Sequence, residues 1–293
     1  MRIPGLPILP VVIVLGCAAA PPAGSTPAAP SSPSDPESGA PAAEDPGGAV
    51  FGRSAPKVGT VLVTETTQTL HVELTKRQGK QTVQIVQAST QHSKTRLTLL
   101  ATSGAAVTRE KVEYLEAASE QRIGDRVQQV PSPLVGKSYV LEARGESLHA
   151  TGADGAPVSD YEAERLAQNH PNLGRPSGFV ALLPDRPLAI GERIAPDPAA
   201  LGEALGKRGV QVREPSLVLE SAGEGVGRFA VSFVLVEQRD GNTTETRLSG
   251  SVMLQADTCW PLEIDLRGPV RVTGPDELAG SGTVTLEVHT SPE

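Results

Sequence analysis

The chain has 293 residues, a formal net charge of −8 and an aromatic content of 3%. The acidic charge, with no block of Lys or Arg, excludes a nucleic-acid-binding protein and a protein held on anionic lipid by charge, because both need a basic face. This length allows one large domain or two ordinary ones, and a core would rest on Val, Leu, Ile and Ala.

The first sixteen residues have the organisation of a secretory leader. Arg2 supplies the positive start, and residues 3–15 form an apolar stretch that is too short to span a bilayer. The stretch ends in Val14-Leu15-Gly16-Cys17, which resembles the bacterial lipobox. The resemblance implies that residues 1–16 are a lipoprotein signal peptide and that the thiol of Cys17 receives a lipid of the palmitate type.

Two other fates of the leader remain open. Ordinary cleavage at Ala18-Ala19-Ala20 would leave a soluble secreted protein, although Pro21 opposes it, and an uncleaved leader would act as a membrane anchor. The residue after Cys17 is Ala18 and not Asp. By the sorting rule of enteric lipoproteins, this implies the outer membrane, at its periplasmic face or at the cell surface.

Residues 18–48 read as a linker. They are rich in Ala, Pro, Ser and Gly and contain no Val, Ile, Leu or aromatic residue, so none of them can join a core and disorder is expected. Together with Cys17 they form a segment, 17–48, that would hold a domain off a membrane. A proline-rich ligand for another protein is the alternative, but basic residues do not flank the prolines.

Strand patterns begin after residue 49. The apolar positions change parity between Val63 and Leu70, which predicts a bulge or a bend around residues 65–69. Residues 77–80 predict a turn. Further strands are predicted around Val83 and Ile85, over Thr95–Leu100 and over Val107–Leu115, followed by a hairpin of residues 134–142 and 147–151.

Two short helices are predicted in the middle of the chain. Ser159 and Glu162 fit a capping box, in which each side chain bonds the other residue's backbone. Asp197-Pro198 fits an N-cap followed by proline in the first turn, and Gly206 fits the end of that helix.

The last third of the chain has the clearest strand patterns. Residues 229–236 are apolar on both faces, which predicts a central, covered strand. Residues 262–267 alternate, so Glu263, Asp265 and Arg267 are expected on a solvated outer face. Short turns between sequential strands predict an antiparallel meander. The expected fold is therefore one mostly β domain of the α+β class over residues 49–293, with a large curved, half-barrel-like sheet and about two helices on one face.

Two resemblances accompany this fold. Residues 183–192, Leu-Pro-Asp-Arg-Pro-Leu-Ala-Ile-Gly-Glu, resemble a central segment of uncharacterised bacterial envelope lipoproteins. In those proteins a Trp often follows where Ile194 stands here. The order of lipobox, linker, strands and mid-chain helices is similar to the lipoprotein-carrier half-barrels of the LolA/LolB and LppX type, which implies an acyl chain held between sheet and helices.

The sequence contains no motif that identifies a reaction. The five histidines show neither H-E-x-x-H spacing nor pairing two apart, so no metal site and no cofactor is predicted. A G-x-S-x-G elbow is absent, Gly280-Ser281-Gly282 reads as a turn, and residues 223–227 read as a hairpin turn. No catalytic residue is assigned, and the chain is predicted not to be an enzyme.

Cys259 and Trp260 stand apart as the thiol and the tryptophan of the exported region. Trp260 is a candidate ligand-binding residue, while the simpler interpretation is a turn with Cys259 half-buried and Trp260 capping the core. The sequence thus predicts a non-enzymatic envelope lipoprotein, attached to the membrane through Cys17, that binds a hydrophobic ligand such as a lipid or acyl chain. A structural module with unknown protein partners and a hydrolase are the alternatives.

Overall fold

The computed structural model describes residues 48–145, 147–206 and 210–293. The leader, Cys17 and nearly all of the linker lie outside the described residues, so their predictions stay predictions. Within the described ranges the chain forms one large, curved, open antiparallel sheet with two short α-helices and a 3-10 helix. The predicted mostly β fold with two helices is confirmed.

Twelve strands make up this sheet in the described residues. In chain order they are β1 (Val61–Gln78), β2 (Gln81–Ser103), β3 (Ala106–Ile123), β4 (Arg126–Pro131), β5 (Ser138–Arg144), β6 (Ser147–Gly152), β7 (Arg193–Ile194), β8 (Gln211–Gly223), β9 (Val226–Arg239), β10 (Asn242–Gln255), β11 (Pro261–Gly274) and β12 (Leu278–Pro292). The helices are α1 (Asp160–Asn169), the 3-10 helix (Gly178–Leu182) and α2 (Pro198–Ala204).

The strand order across the sheet is β6-β5-β3-β2-β1-β12-β11-β10-β9-β8-β7, and β4 pairs with the far end of β3. Most sequential strands are neighbours, as short hairpins require. There are three exceptions: β3 pairs with β5, β6 and β7 lie at opposite ends of the sheet, and β1 pairs with β12, which joins the two ends of the domain in the middle of the sheet.

Strand β1 differs from its prediction. Its pairing with β2 and with β12 runs without a register shift, so the predicted bulge at residues 65–69 is wrong. Leu62 is buried and shares a face with Leu70, whereas Val61 and Val63 point to the other face because side chains alternate along a strand. The apolar pattern is interrupted because polar residues occupy the intervening inner positions.

Strands β2 and β3 are longer than predicted. The strands expected around Val83 and over Thr95–Leu100 are parts of one strand, β2, since the polar segment between them keeps its pairing with β1 and β3. Strand β3 continues past Leu115 to Ile123, and the sequence does not predict β4 because its six residues are all exposed and show no alternation.

One predicted turn is a strand. Gly280-Ser281-Gly282 lies inside β12, where Gly282 pairs with Val72 of β1. A Cβ atom at Gly282 would overlap the carbonyl oxygen of His71. The glycine is therefore required by the close approach of two strands and not by a change of chain direction.

The helix ends follow their predicted signals. Ser159 caps α1 and receives the backbone N–H of Glu162, whose carboxylate accepts the N–H of Ser159 in return. Asp197 caps α2 by accepting the backbone N–H of Ala200, and Gly206 follows that helix with a φ of 67°. The predicted capping box and proline-led helix are confirmed.

The core consists of two apolar clusters on the inner face of the sheet. The larger cluster is built from β1 and β8–β12, and the 3-10 helix and α2 cover it. The smaller cluster lies under α1 and comprises Val112, Tyr114, Leu134, Tyr139, Leu141 and Leu166. Among the described helices, none combines the length and apolarity that a membrane-crossing segment requires.

Residues 48–60, which we call the N-terminal strap, run across one end of the sheet. Ala49 forms an isolated bridge with Leu188, in the segment that resembles envelope lipoproteins. The ring of Phe51 lies 5.1 Å from that of Phe229 in the larger cluster, and the N–H of Gly52 donates to the carbonyl of Ala256. Residue 48, the first that the structure describes, therefore lies at this end of the sheet.

Candidate functional site

A polar region on the inner face of the sheet separates the two apolar clusters. We call it the polar inner patch, and the register of the strands places its members on one face, since directly opposed residues of an antiparallel pair share a face. Its members are Thr64, Thr66 and Gln68 of β1, Gln87, Ser89, Gln91, Ser93 and Thr95 of β2, and Ser119 and Gln121 of β3.

The borders of the patch confirm which face it occupies. On one side Gln68 is opposite Leu286, which belongs to the larger apolar cluster. On the other side Thr95 is opposite Tyr114, which belongs to the smaller cluster. The patch is thus a continuous polar interruption of an otherwise apolar inner surface.

The outer face of the same strand segments has the opposite character. Its charged side chains are Glu65 and Glu73 of β1, Lys94 of β2, and Glu116, Glu120 and Arg122 of β3. Glu65, Lys94 and Glu116 lie directly opposite one another, and Thr67, Thr69, Ala88, Thr90 and Ala118 stand among the charged positions. Such mixed charge is usual for a solvated sheet surface. The polar inner patch carries hydroxyl and carboxamide groups and no charge along the same length, so solvent exposure by itself does not explain its composition.

Burial of the patch is graded. Gln68 and Gln87 are 5% and 4% exposed, and the other members are half-buried. The Oε1 atom of Gln87 is buried and has no hydrogen-bond partner among the described residues. Native proteins pair nearly all buried polar atoms, so an unpaired acceptor at the end of a polar surface calls for a functional explanation.

We expect Gln87→Leu to raise the free energy of unfolding by about 1 kcal/mol, because it removes a buried acceptor that lacks a partner while keeping the side-chain volume. Urea unfolding followed by far-ultraviolet circular dichroism measures the change. Gln91→Leu, at a half-buried position of the same strand, is the matched control and should change stability less. A loss of stability in Gln87→Leu would show that this carboxamide is fully satisfied.

A second polar feature lies next to the patch, beneath α1. His170, at the C-cap of α1, has Nδ1 2.6 Å from Oε1 of Glu110 on β3. Its Nε2 lies 3.1 Å from the hydroxyl of Tyr114, which also accepts a hydrogen bond of 3.1 Å from Nδ2 of Asn169. The ring of His170 is thus hydrogen-bonded at both nitrogens, to the carboxylate through Nδ1 and to the tyrosine hydroxyl through Nε2.

This arrangement of carboxylate, imidazole and hydroxyl is that of a catalytic triad, but its environment is different. Tyr114 and Glu110 are each 5% exposed, and burial raises the pKa of the Tyr114 phenol well above its ordinary value. A nucleophile must reach its substrate and lose its proton readily, and this hydroxyl does neither. The network therefore fastens the end of α1 to the sheet.

A depression of about 370 Å³ lies between the start of α1 and strands β5 and β6. Lys137, Tyr139, Asp154, Val158 and Glu162 are among its lining residues. Hydrogen bonds from Lys137, from Ser159 and from Tyr139 hold the pKa of the Glu162 carboxyl well below its usual range. The depression is open to solvent, and its walls combine three charged side chains with apolar ones, so it does not enclose an acyl chain.

The structure places Cys259 and Trp260 in the predicted turn between β10 and β11. Cys259 is fully buried where half-burial was expected: its Sγ donates to the carbonyl of Gly52 in the N-terminal strap, and burial raises the pKa of its thiol to about 11. Trp260 is half-buried and lies outside the polar inner patch. Its predicted role as a ligand-binding residue stays a prediction.

Other candidate residues lie where the sequence places them. Asp265 and Arg267 are exposed and Glu263 is half-buried on the outer face of β11, and residues 223–226 form the hairpin turn between β8 and β9. Within the ranges that the structure describes, no three His, Cys, Asp or Glu side chains are arranged to hold a metal ion. Sequence patterns had not drawn attention to the polar inner patch or to the Glu110–His170 pair.

Comparison with known proteins yields neither a matching family model nor a matching curated protein. Among solved structures, the chain is similar to DynF from the dynemicin biosynthesis pathway of Micromonospora chersina, at 10% sequence identity and a TM-score of 0.18. The match covers 86% of this chain and 92% of that chain. A TM-score this low carries no argument about fold or function.

Proposed function

We propose that this protein is a lipid-anchored bacterial cell-envelope protein that acts by binding a ligand on the inner face of its curved sheet. The observation that carries the proposal is the polar inner patch, a partly exposed surface that interrupts the core without being charged. A binding role is supported over a catalytic one because Glu110 and Tyr114, which together with His170 resemble a catalytic triad, are buried and hydrogen-bonded to that histidine.

The anchor rests on the sequence Val14-Leu15-Gly16-Cys17. We expect Cys17→Ala to move the protein from the membrane fraction to the soluble fraction of the envelope, because the acyl chains supply about 0.8 kcal/mol of membrane affinity for each buried CH₂ group. Fractionation and immunoblotting measure the distribution. Cys259→Ala, which alters a buried thiol outside the anchor, is the matched control and should stay with the membrane. Membrane partition of a Cys17→Ala protein whose leader has been removed would disprove the anchor.

The acyl-chain form of the proposal comes from the resemblance to lipoprotein-carrier half-barrels. It requires an enclosed apolar pocket between sheet and helices, whereas the depression beside α1 is open and has walls of mixed polarity. The inner residues of the larger cluster are packed against one another and fully buried. The geometry therefore gives more support to a polar ligand, and titration with palmitate tests the acyl-chain form directly.

A structural role through protein contacts is the second candidate, and strand β4 favours it. All six residues of β4 are exposed, including Val127 and Val130, and β4 is hydrogen-bonded to β3 along one edge. An exposed edge can accept a strand from another protein. The short length of β4 and its terminal Pro131 limit such pairing, so we place this role second.

A further inference from the structure

The composition of the polar inner patch restricts the chemistry of its ligand. Each of its ten members is Ser, Thr or Gln, so each position offers both a hydrogen-bond donor and an acceptor. An anionic ligand would need a cationic partner on this face, and a cationic ligand would need a carboxylate. The members of the patch supply neither.

An apolar ligand fits the patch no better. An acyl chain lying on these strands would cover half-buried hydroxyls and carboxamides without giving them partners, which is unfavourable for every group that loses water. A ligand that is uncharged and carries hydroxyl groups along its length would instead exchange water hydrogen bonds for protein hydrogen bonds. A neutral oligosaccharide has this chemistry.

The layout of the patch suits a chain-like ligand. From Gln87 to Thr95 the inner residues of β2 span roughly 26 Å, at about 3.3 Å per residue, which is room for several sugar rings. Gln91 lies at the centre, directly opposite Gln68 on one side and Ser119 on the other. One end of this row of β2 residues is Thr95, which lies opposite Tyr114. The other end is Gln87, whose Oε1 atom has no hydrogen-bond partner among the described residues.

We infer that the polar inner patch binds an uncharged, polyhydroxylated ligand, a neutral oligosaccharide or glycan chain of the cell envelope. This inference rests on the proposed binding function and specifies its ligand class. Gln91 and Ser119, which are both half-buried, supply the central hydrogen bonds.

The test is a calorimetric titration of the full lipidated chain in a polyoxyethylene detergent, which has no sugar headgroup to compete. The probes are chitohexaose, cellohexaose and maltohexaose as neutral chains, a galacturonate hexamer as an anionic chain, and palmitate. We expect at least one neutral hexasaccharide to bind. The anionic chain should bind more weakly, because its carboxylates would lose hydration without meeting a cation.

Two double variants locate the site. Gln91→Val with Ser119→Val replaces a directly opposed pair on the inner face, and Thr90→Val with Glu120→Val replaces the adjacent opposed pair on the outer face. The inner pair should weaken neutral saccharide binding roughly ten-fold, as the loss of two hydrogen bonds implies, and the outer pair should leave it unchanged. Urea midpoints of both variants verify that each is folded.

Three outcomes would overturn the inference. Failure of all three neutral saccharides to bind, or equal affinity in the wild type and the inner variant, removes the proposed ligand class or the proposed site. Binding of palmitate alone also overturns it, but leaves a ligand-binding envelope protein in place. If neither palmitate nor any saccharide binds, the proposed function fails as well, and the role of β4 in protein contacts takes its place.

Discussion

Replacing His170 with alanine should lower the free energy of unfolding by about 3 kcal/mol. Nδ1 of His170 lies 2.6 Å from Oε1 of Glu110, whose side chain is 6% exposed. Without the imidazole, the carboxylate stays buried with this hydrogen bond unmade, and the hydroxyl of Tyr114 loses one of its hydrogen-bond partners. The cost is large because the remaining group has neither its partner nor water.

Urea unfolding of His170→Ala measures this loss against a matched histidine. His149 lies on β6, is exposed and belongs to no apolar cluster. Its replacement by alanine should change the stability by no more than about 0.5 kcal/mol. Similar losses in the two variants would mean that the buried pair contributes no more than an exposed side chain does.

A double-mutant cycle separates the pair from its surroundings. Glu110→Leu removes the buried carboxylate, so His170→Ala in that background no longer leaves it without a partner. We expect the double variant to be more stable than the sum of the single losses predicts, by at least about 1 kcal/mol. Additive losses would show that the two side chains do not stabilise each other.

The parts of this fold that depend on neighbouring residues could be predicted from the sequence. The cap of α1 needs only Ser159 and Glu162, and the hairpin between β9 and β10 needs only the turn residues 240–242. The alternating strands of the last third were also correctly predicted, because one face of each packs on the core. Each of these signals lies within a few residues of the structure that it produces.

Features that join distant parts of the chain could not be predicted. Nothing near Glu110 marks His170 as its partner, and the pairing of β1 with β12 brings the two ends of the domain together. The same limit applies to the single strand β2. Its middle was read as a break between two strands because Ser89, Gln91 and Ser93 lack the apolar residues by which a buried strand face is recognised.

The polar inner patch was missed for a related reason. Alternation persists in β2 between residues 87 and 95, but the inner positions carry uncharged polar residues and the outer positions carry Ala88, Thr90, His92 and Lys94. A search for apolar periodicity cannot detect that pattern. Charge, and not hydropathy, distinguishes the two faces of these strands, and this difference carries the proposed function.

Gly268→Ala should lower the free energy of unfolding by about 3 kcal/mol or more, or prevent folding. Gly268 lies on the inner face of β11, directly opposite Val284 of β12. A Cβ atom there would overlap the carbonyl oxygen of Arg247 and lie 3.4 Å from the Cα atom of Leu248. Overpacking against side chains costs about 1–3 kcal/mol, and here the obstacle is backbone that must shift.

Gly250 and Gly282 have the same relation to neighbouring strands: a Cβ atom would overlap the carbonyl oxygens of Asp265 and His71 respectively. Gly250 lies on the inner face of β10 against β11, and Gly282 lies on the inner face of β12 against β1. At both positions the neighbouring strand is too close to leave room for a side chain. Glycine at such positions permits the bend that curves a sheet. The curvature that encloses the larger apolar cluster therefore depends on them.

A graded series makes the prediction testable even if Gly268→Ala fails to fold. Gly223, at the end of β8, has no heavy atom within 4 Å of an added Cβ, so Gly223→Ala should be neutral to within about 0.5 kcal/mol. Gly280→Ala should be intermediate, because its Cβ would meet the mobile Cδ2 of Leu74 at 2.5 Å and the carbonyl oxygen of Glu73 at 2.9 Å. If the urea midpoints do not follow this order, the curvature of the sheet does not depend on these glycines.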